Sequence, residues 1–301
     1  MARLRIGTCS WKYPSWAGLV YSAPEPPDFL AEYAEKYDCV EVDQWFWSLF
    51  KGGKVVLPRP EVAAGYAAST PEGFRFSVKC PNSLTLTHEY ARGGGEPNPR
   101  FLESGLFLRF LDALAPLVPK VGLFVFQFEY LNKAKAPEPA AFRDRLGAFL
   151  EALPADLPYA VEIRNPRWMD ASWFAFLAER RAAPVLLQGY WMDDLAATWS
   201  RAASGPLPLT CIRLHGEDRG GIEEKTGGDW SRVVRPKDEE LPRLSAVIKD
   251  MLGRGATVWL NVNNHYEGSA PLTIAKIRGL LGEAAAPYGR DIEVAGGSHV
   301  E

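Results

Sequence analysis

The chain has 301 residues, 47% hydrophobic and 24% charged, with a formal net charge of −3. That apolar share suits one well-filled core and excludes a disordered chain, and the slight negative charge supplies no chain-wide basic footprint for nucleic acid. No apolar run of about 18 uncharged residues offers a membrane span.

In chain order, short β-type runs alternate with helical patterns. The first run is "LRIGTC" (residues 4–9), followed by "DFLAEYAEKY" (28–37), which spaces Phe29, Leu30, Tyr33 and Tyr37 as one helix face. Next come "CVEVD" (39–43), "FRFSVKC" (74–80), "GLFVFQF" (122–128) and the helical "FRDRLGAFLEAL" (142–153). "YAVEI" (159–163) leads to a helix capped by Asp170, and "PVLLQ" (184–188) and "TCIRLH" (210–215) lead to the amphipathic "LPRLSAVIKDML" (241–252). "TVWLNV" (257–262) and "PLTIAKIRGLL" (271–281) close the series. Eight strands with helices between them predict an α/β, (β/α)8 TIM-type barrel as a single domain over 1–290, with a flexible tail over 291–301. Two long stretches rich in Gly, Pro and charge, after strand 3 (80–101) and after strand 7 (216–240), are expected as lid loops over the carboxyl mouth.

The start "MARLRIGTCSW" shows no basic n-region or apolar h-region of a secretory leader. Cys9, Cys39, Cys80 and Cys211 are scattered without a CxxC pair, which fits small buried hydrophobes in a reducing cytoplasm.

Barrel chemistry collects where strands finish. There the chain offers Glu41 and Asp43, Lys79, Gln127, Glu162 and Arg164, Arg213 and His215, then Asn261, Asn263, Asn264 and His265. Unpaired charges inside a barrel are costly, so these groups must pair with each other, with water or with a ligand. Glu41 with Arg213 and Glu162 with Arg164 are plausible pairs. Trp11, Trp45, Phe46, Trp47, Trp168, Tyr190, Trp191 and Tyr266 fall at the same level, and aromatic faces beside amides and guanidinium groups suit a sugar ring or a nucleobase. Glu41, Asp43, Glu162, His215 and His265 could in principle hold zinc or manganese, but Lys79, Arg164 and Arg213 favour an anionic ligand, so no metal is assigned. The residues name no cofactor. GxSxG, HExxH, P-loop and GxGxxG motifs are absent. "RGGG" (92–95) lacks the strand-to-helix context of a phosphate cradle.

Six ordered motifs carry a family resemblance: "IGTCSWKYPSWAGLVYS", "AEKYDCVEVDQWFWSL", "TPEGFRFSVKCPNSLTLTH", "AVEIRNPRW", "IRLHG" and "NNHYEGSAP". Together they resemble the domain of unknown function 72 family over nearly the whole chain. The resemblance implies a TIM-type barrel and no settled activity, with only an analogy to endonuclease-IV-like and sugar-isomerase barrels. The chain departs from the family pattern at Asp43 and the aromatic run after it, at "QFEYLNK" where Gln-Leu-Pro-Pro is usual, and at Asn165, which stands where a histidine is usual.

The leading expectation is an enzyme using acid/base chemistry on a small polar, anionic or sugar-like ligand. Glu41, Glu162, Lys79 and His215 would be catalytic, and Trp11, Asp43, Gln127, Arg164, Arg213, Asn261, Asn263, Asn264 and His265 substrate-binding. Two alternatives are a nucleic-acid-binding, endonuclease-IV-like barrel, which the net charge does not favour, and a non-enzymatic protein with a structural polar layer.

Overall fold

The computed structural model describes residues 3–90, 95–202, 205, 207–216 and 218–285. The eight expected strands all form: β1 (Arg3–Thr8), β2 (Cys39–Val42), β3 (Arg75–Lys79), β4 (Val121–Gln127), β5 (Tyr159–Glu162), β6 (Ala182–Gly189), β7 (Leu209–Gly216) and β8 (Thr257–Val262). They pair in parallel in the order β1-β8-β7-β6-β5-β4-β3-β2, which curls into a nearly closed barrel.

Helices α1 (Phe29–Lys36), α2 (Pro60–Ala68), α3 (Ser104–Ala113), α4 (Pro139–Glu151), α5 (Ala171–Glu179), α6 (Leu195–Ala202), α7 (Arg219–Thr226), α8 (Glu240–Gly253) and α9 (Ala270–Leu281) surround the barrel. Asp28 and Asp170 cap α1 and α5 by accepting amide hydrogen bonds, which satisfies first-turn N–H groups that have no helical partner. A two-stranded hairpin, Leu49–Phe50 with Lys54–Val55, sits between β2 and α2. Among the described residues no helix is long and apolar enough to cross a membrane.

The stretch after β7 is not the structureless lid the sequence suggested. It contains α7, which Asp218 caps through the Gly221 amide at 2.9 Å and which ends at Gly227 in the left-handed region, φ 59°. Its apolar pattern is too thin to read, since Ile222 is the one large apolar side chain that α7 buries. The expected tail over 291–301, and 91–94 of the loop after β3, lie outside the described residues.

Two apolar layers hold the fold. Phe, Leu and Trp side chains fill the space between strands and helices, whereas Cys39, Leu123, Val125, Ala160, Ala183, Val185, Cys211 and Trp259 fill the barrel interior. All four cysteines are free and buried, as expected of small hydrophobes. Trp259 needs a neighbour without a side chain, because a Cβ on Gly122 would lie 2.4 Å from its ring.

Where β1 meets β2 the ladder stops after a single bridge, Cys9 to Glu41. Tyr33, on α1, closes that seam: its hydroxyl accepts from the Thr8 amide at 2.9 Å and donates to the Cys39 carbonyl at 3.1 Å. The strands approach so closely there that a Cβ on Gly7 would lie 2.1 Å from the Cys39 oxygen. Tyr33→Phe strands a buried donor and a buried acceptor, so it is expected to lower unfolding free energy by about 1–3 kcal/mol in urea titrations. An unchanged midpoint would show that the seam does not depend on the phenol.

Candidate functional site

Register builds the site. Glu41 lies opposite Ser77, Gln127 opposite Glu162, and Asn261 opposite Arg213, so strand pairing alone brings polar side chains to one level at the carboxyl half of the barrel. Arg213 stands at the centre of that level and is 1% exposed. Its Nε and Nη2 donate to the two Glu41 oxygens at 2.8 and 2.7 Å. Nη1 donates to Gln127 at 2.9 Å and also to Glu162.

Asn261 donates to Glu41 at 3.3 Å and to Ser77 at 3.1 Å, and Arg164 Nε reaches the other oxygen of Glu162 at 3.1 Å. Both ion pairs suggested by the sequence are therefore present. Burial raises the carboxyl pKa of Glu162, but Arg213 and Arg164 more than offset this and hold it below the usual range. Burial lowers the Arg213 pKa, and Glu162 and Glu41 reverse that and hold it well above its ordinary value.

Above this floor opens a cavity of about 300 Å³, lined by Asp43, Lys79, Gln127, Arg164, Arg213, His215, Asn263 and His265 together with aromatic side chains. Lys79 differs from its neighbours. It is 8% exposed, donates no hydrogen bond among the described residues, and holds its Nζ 3.9 Å from the centroid of the Phe46 ring. Burial, with Arg213 close by, lowers its pKa to about 8. Burial and the Glu41 charge push the Asp43 carboxyl up, while Lys79 and Arg213 draw it partly back.

His215 is kept neutral by burial and by Arg213, Arg164 and Lys79. Its Nδ1 lies 3.4 Å from the Tyr190 hydroxyl, and its buried Nε2 has no partner among the described residues. His265 is tied to Asn263 through Nδ1 at 2.5 Å and to Glu223 of α7 through Nε2 at 2.9 Å. Arg164 spends only Nε on Glu162; among the described residues its terminal nitrogens make no hydrogen bond, and its guanidinium lies 5.0 Å from the Tyr190 ring centroid.

The expected site residues thus divide by depth. Glu41, Glu162 and Asn261 are buried in the floor, and the eight lining residues named above face the cavity. Trp11 and Asn264 are brought to neither. Trp11 is buried edge-on against Tyr66 at 4.9 Å, and Asn264 accepts from the Ala270 amide at 2.8 Å at the start of α9. Phe46, Trp47 and Tyr190 join the lining, whereas Trp45 stacks on Tyr66 and Tyr266 donates to Glu240.

Sequence reasoning missed Tyr13, Tyr90, Glu129 and Arg219 on the lining and Ser77 in the floor. Glu129 was within reach, since it lies two residues after Gln127; Arg219 was hidden in the stretch taken for a loop. Asn165, at the position where the family pattern has histidine, clamps the backbone of Leu131 by a bond each way at 3.0 and 2.9 Å. Among the described residues no three His, Cys, Asp or Glu side chains converge as a metal-ligand set.

Eight parallel strands closing on a buried arginine, with a polar cavity above it, define a (β/α)8 barrel built around a charged floor. The chain belongs to the family described as "Protein of unknown function DUF72", which it matches over residues 5–293. It is 30% identical over 167 residues to the UPF0759 protein YecE of Escherichia coli K12, and equally to that of strain O157:H7, over 54% of this chain. The match spans 49%, about half, of the length of those curated relatives. Crystal structures of two DUF72 family proteins share the fold. That from Enterococcus faecalis V583 has a TM-score of 0.64 at 20% identity, covering 92% of this chain and 95% of its own. That from Thermotoga maritima MSB8 has 0.63 at 18%, covering 93% and 99%.

Two stability measurements test this electrostatic arrangement. Arg213→Met leaves the buried Glu41 without its cation and Glu162 with Arg164 alone, and is expected to cost about 3–5 kcal/mol in urea unfolding. Equal stability would show that the floor does not depend on the arginine for its compensation. Lys79→Met acts in the opposite direction. Because folding lowers the Lys79 pKa from 10.5 to about 8, the unfolded chain holds more protons there between those values, and wild-type stability rises across that window. The variant is therefore expected to exceed wild type by on the order of 1–3 kcal/mol below pH 8, with the gap closing as pH rises toward 10.5. A gap independent of pH would locate the difference in packing.

Proposed function

We propose that this chain is an acid/base enzyme acting on a small oxygen-rich anion of the sugar-acid type, bound at the carboxyl mouth of the barrel. The observation that carries the reading is the Lys79 amine, which faces the cavity with no ion-pair partner among the described residues, beside an Asp43 carboxyl that burial pushes up. Titratable groups whose pKa values are moved toward neutrality from opposite sides, in a polar cavity, suit proton exchange with a substrate.

In this reading Lys79 and Asp43 exchange protons with the ligand, and His215 offers its unpartnered Nε2 as a neutral hydrogen-bond group. Arg164 presents its two unbonded nitrogens to an anionic group, a geometry suited to two-point binding of a carboxylate or phosphate. Glu41 and Glu162 act through Arg213 by fixing the charge of the floor, and Gln127, Asn263 and His265 orient the ligand. A cavity of about 300 Å³ admits a ligand of monosaccharide size. Trp47 and Tyr90, 63% and 77% exposed and packed edge to face at 5.7 Å, give the rim faces for a ring to lie against. The two long connections supply part of that rim through Leu86, Tyr90 and Arg219.

Thermal unfolding with a panel of sugar acids, neutral sugars and short oligonucleotides tests the reading. At about 100 times its dissociation constant a true ligand stabilises by about 2.7 kcal/mol. A sugar acid is expected to raise the melting temperature of wild type and not of Arg164→Gln. Failure of every acid would sink the proposal, salt-sensitive stabilisation by oligonucleotides would replace it with a nucleic-acid barrel, and no response to any member would favour a structural polar layer.

A further inference from the structure

We infer that Lys79 is a nucleophile that captures the carbonyl carbon of a small aldehyde or ketone bearing an anionic group, forming a covalent iminium adduct within the cavity. The inference rests on the acid/base reading above and deepens it by naming the substrate class and the bond.

Three observations converge on the amine. First, its surroundings strip it of the partners that normally occupy a lysine: among the described residues Nζ makes neither hydrogen bond nor ion pair, and the Phe46 ring lies 3.9 Å away. The carboxylates that could hold it charged are Glu41, Glu162 and Asp43. Glu41 and Glu162 are engaged by the Arg213 guanidinium, itself a like charge facing Lys79. Second, the amine lines a cavity, so a carbonyl carbon can reach it. Third, the groups the chemistry needs share that cavity: Asp43 as a proton donor and acceptor, and Arg164 with two unbonded nitrogens for the anionic end.

A lysine amine attacks only when unprotonated, and a hydrophobic or cationic neighbourhood is the usual way to hold it so. With a pKa of about 8 in place of 10.5, Lys79 has on the order of 10²-fold more free amine at pH 7 than an ordinary lysine.

The step balances without any outside oxidant or reductant. The nitrogen lone pair forms a C–N bond while the carbonyl π pair moves to oxygen, which takes a proton from Asp43. The nitrogen loses one proton to the Asp43 carboxylate. Its remaining lone pair then expels the hydroxyl, which leaves as water after accepting that proton. The products are an iminium cation, one water and a deprotonated Asp43, from a neutral amine, a carbonyl and a protonated Asp43.

The test is reductive trapping on the whole 301-residue chain. Glyoxylate, an aldehyde with a carboxylate, and glycolaldehyde, an aldehyde without one, are each added at pH 7 with sodium cyanoborohydride, and the modified lysines are located by peptide mass mapping. The reagent delivers hydride to the iminium carbon and fixes the adduct as a secondary amine. Lys79 is expected to be modified at least about tenfold faster than the exposed Lys51 and Lys133, a lower bound on the difference in free amine. Glyoxylate is expected to outpace glycolaldehyde at Lys79 in wild type, with that preference lost in Arg164→Gln while glycolaldehyde labelling persists. Modification of Lys79 no faster than Lys51 and Lys133, or none at all, overturns the inference. If a sugar acid still stabilises the protein through Arg164, the acid/base reading survives that result and only the covalent step falls.

Discussion

A guanidinium group cannot shed its proton, so once Arg213 is carried to the middle of the barrel the surrounding strands must supply compensation. Glu41 comes from β2, Glu162 from β5 and Gln127 from β4; Glu41 takes Nε and Nη2 of the planar fork, and Glu162 and Gln127 share Nη1. Pairs of this kind return little net stability, because desolvation consumes most of the attraction. Their effect is on uniqueness. A one-residue slip in any of these strands would turn its polar side chain away from the barrel and leave the arginine partly uncompensated, so the floor fixes register where apolar packing alone would tolerate error.

The cavity residues follow a different logic. Arg213 is satisfied at the cost of having no reactivity, whereas Lys79 and the Nε2 of His215, which with Asp43 line the same cavity, have no hydrogen-bond partner among the described residues. Departures from local satisfaction are expected where a site needs its groups available, and here they gather on one side of one layer. Depth in the barrel thus sorts the same residue types into scaffold and reagent: Glu41 is held below, and Asp43, two residues on, is left open above.

Much of this was legible in the sequence because its causes are local. β-branched and aromatic runs bounded by turn residues reported all eight strands within two residues of their ends. The alternation of strand faces identified nearly every charged or amide side chain of the floor and lining. Depth was not legible, since it depends on how strands stagger around the barrel; Glu41 and Asp43 look alike on one face of one run. Alternation also ends with the strand. After Asn263 the chain turns into a 3-10 turn, Asn264–Tyr266, and Asn264 swings to serve α9. Trp11 was drawn inward for a comparable reason, with Tyr66 of α2 covering it, a helix whose apolar pattern the sequence scarcely marks. The family resemblance and the strand count rested on separate signals and agreed.

The seam between β1 and β2 sets how this barrel comes apart. Elsewhere each strand is joined to its neighbour by a run of amide hydrogen bonds, but there the wall is held by one bridge and a phenol borrowed from α1. Local opening draws on the least cross-linked boundary, so solvent exchange of amides is expected to reach β1 and β2 along this line before the rest of the barrel. Glu41 lies on the same line, and its partner is the arginine that organises the floor. Parting the seam would hydrate that carboxylate and loosen its hold, coupling the fraying of one edge to the loss of the binding chamber.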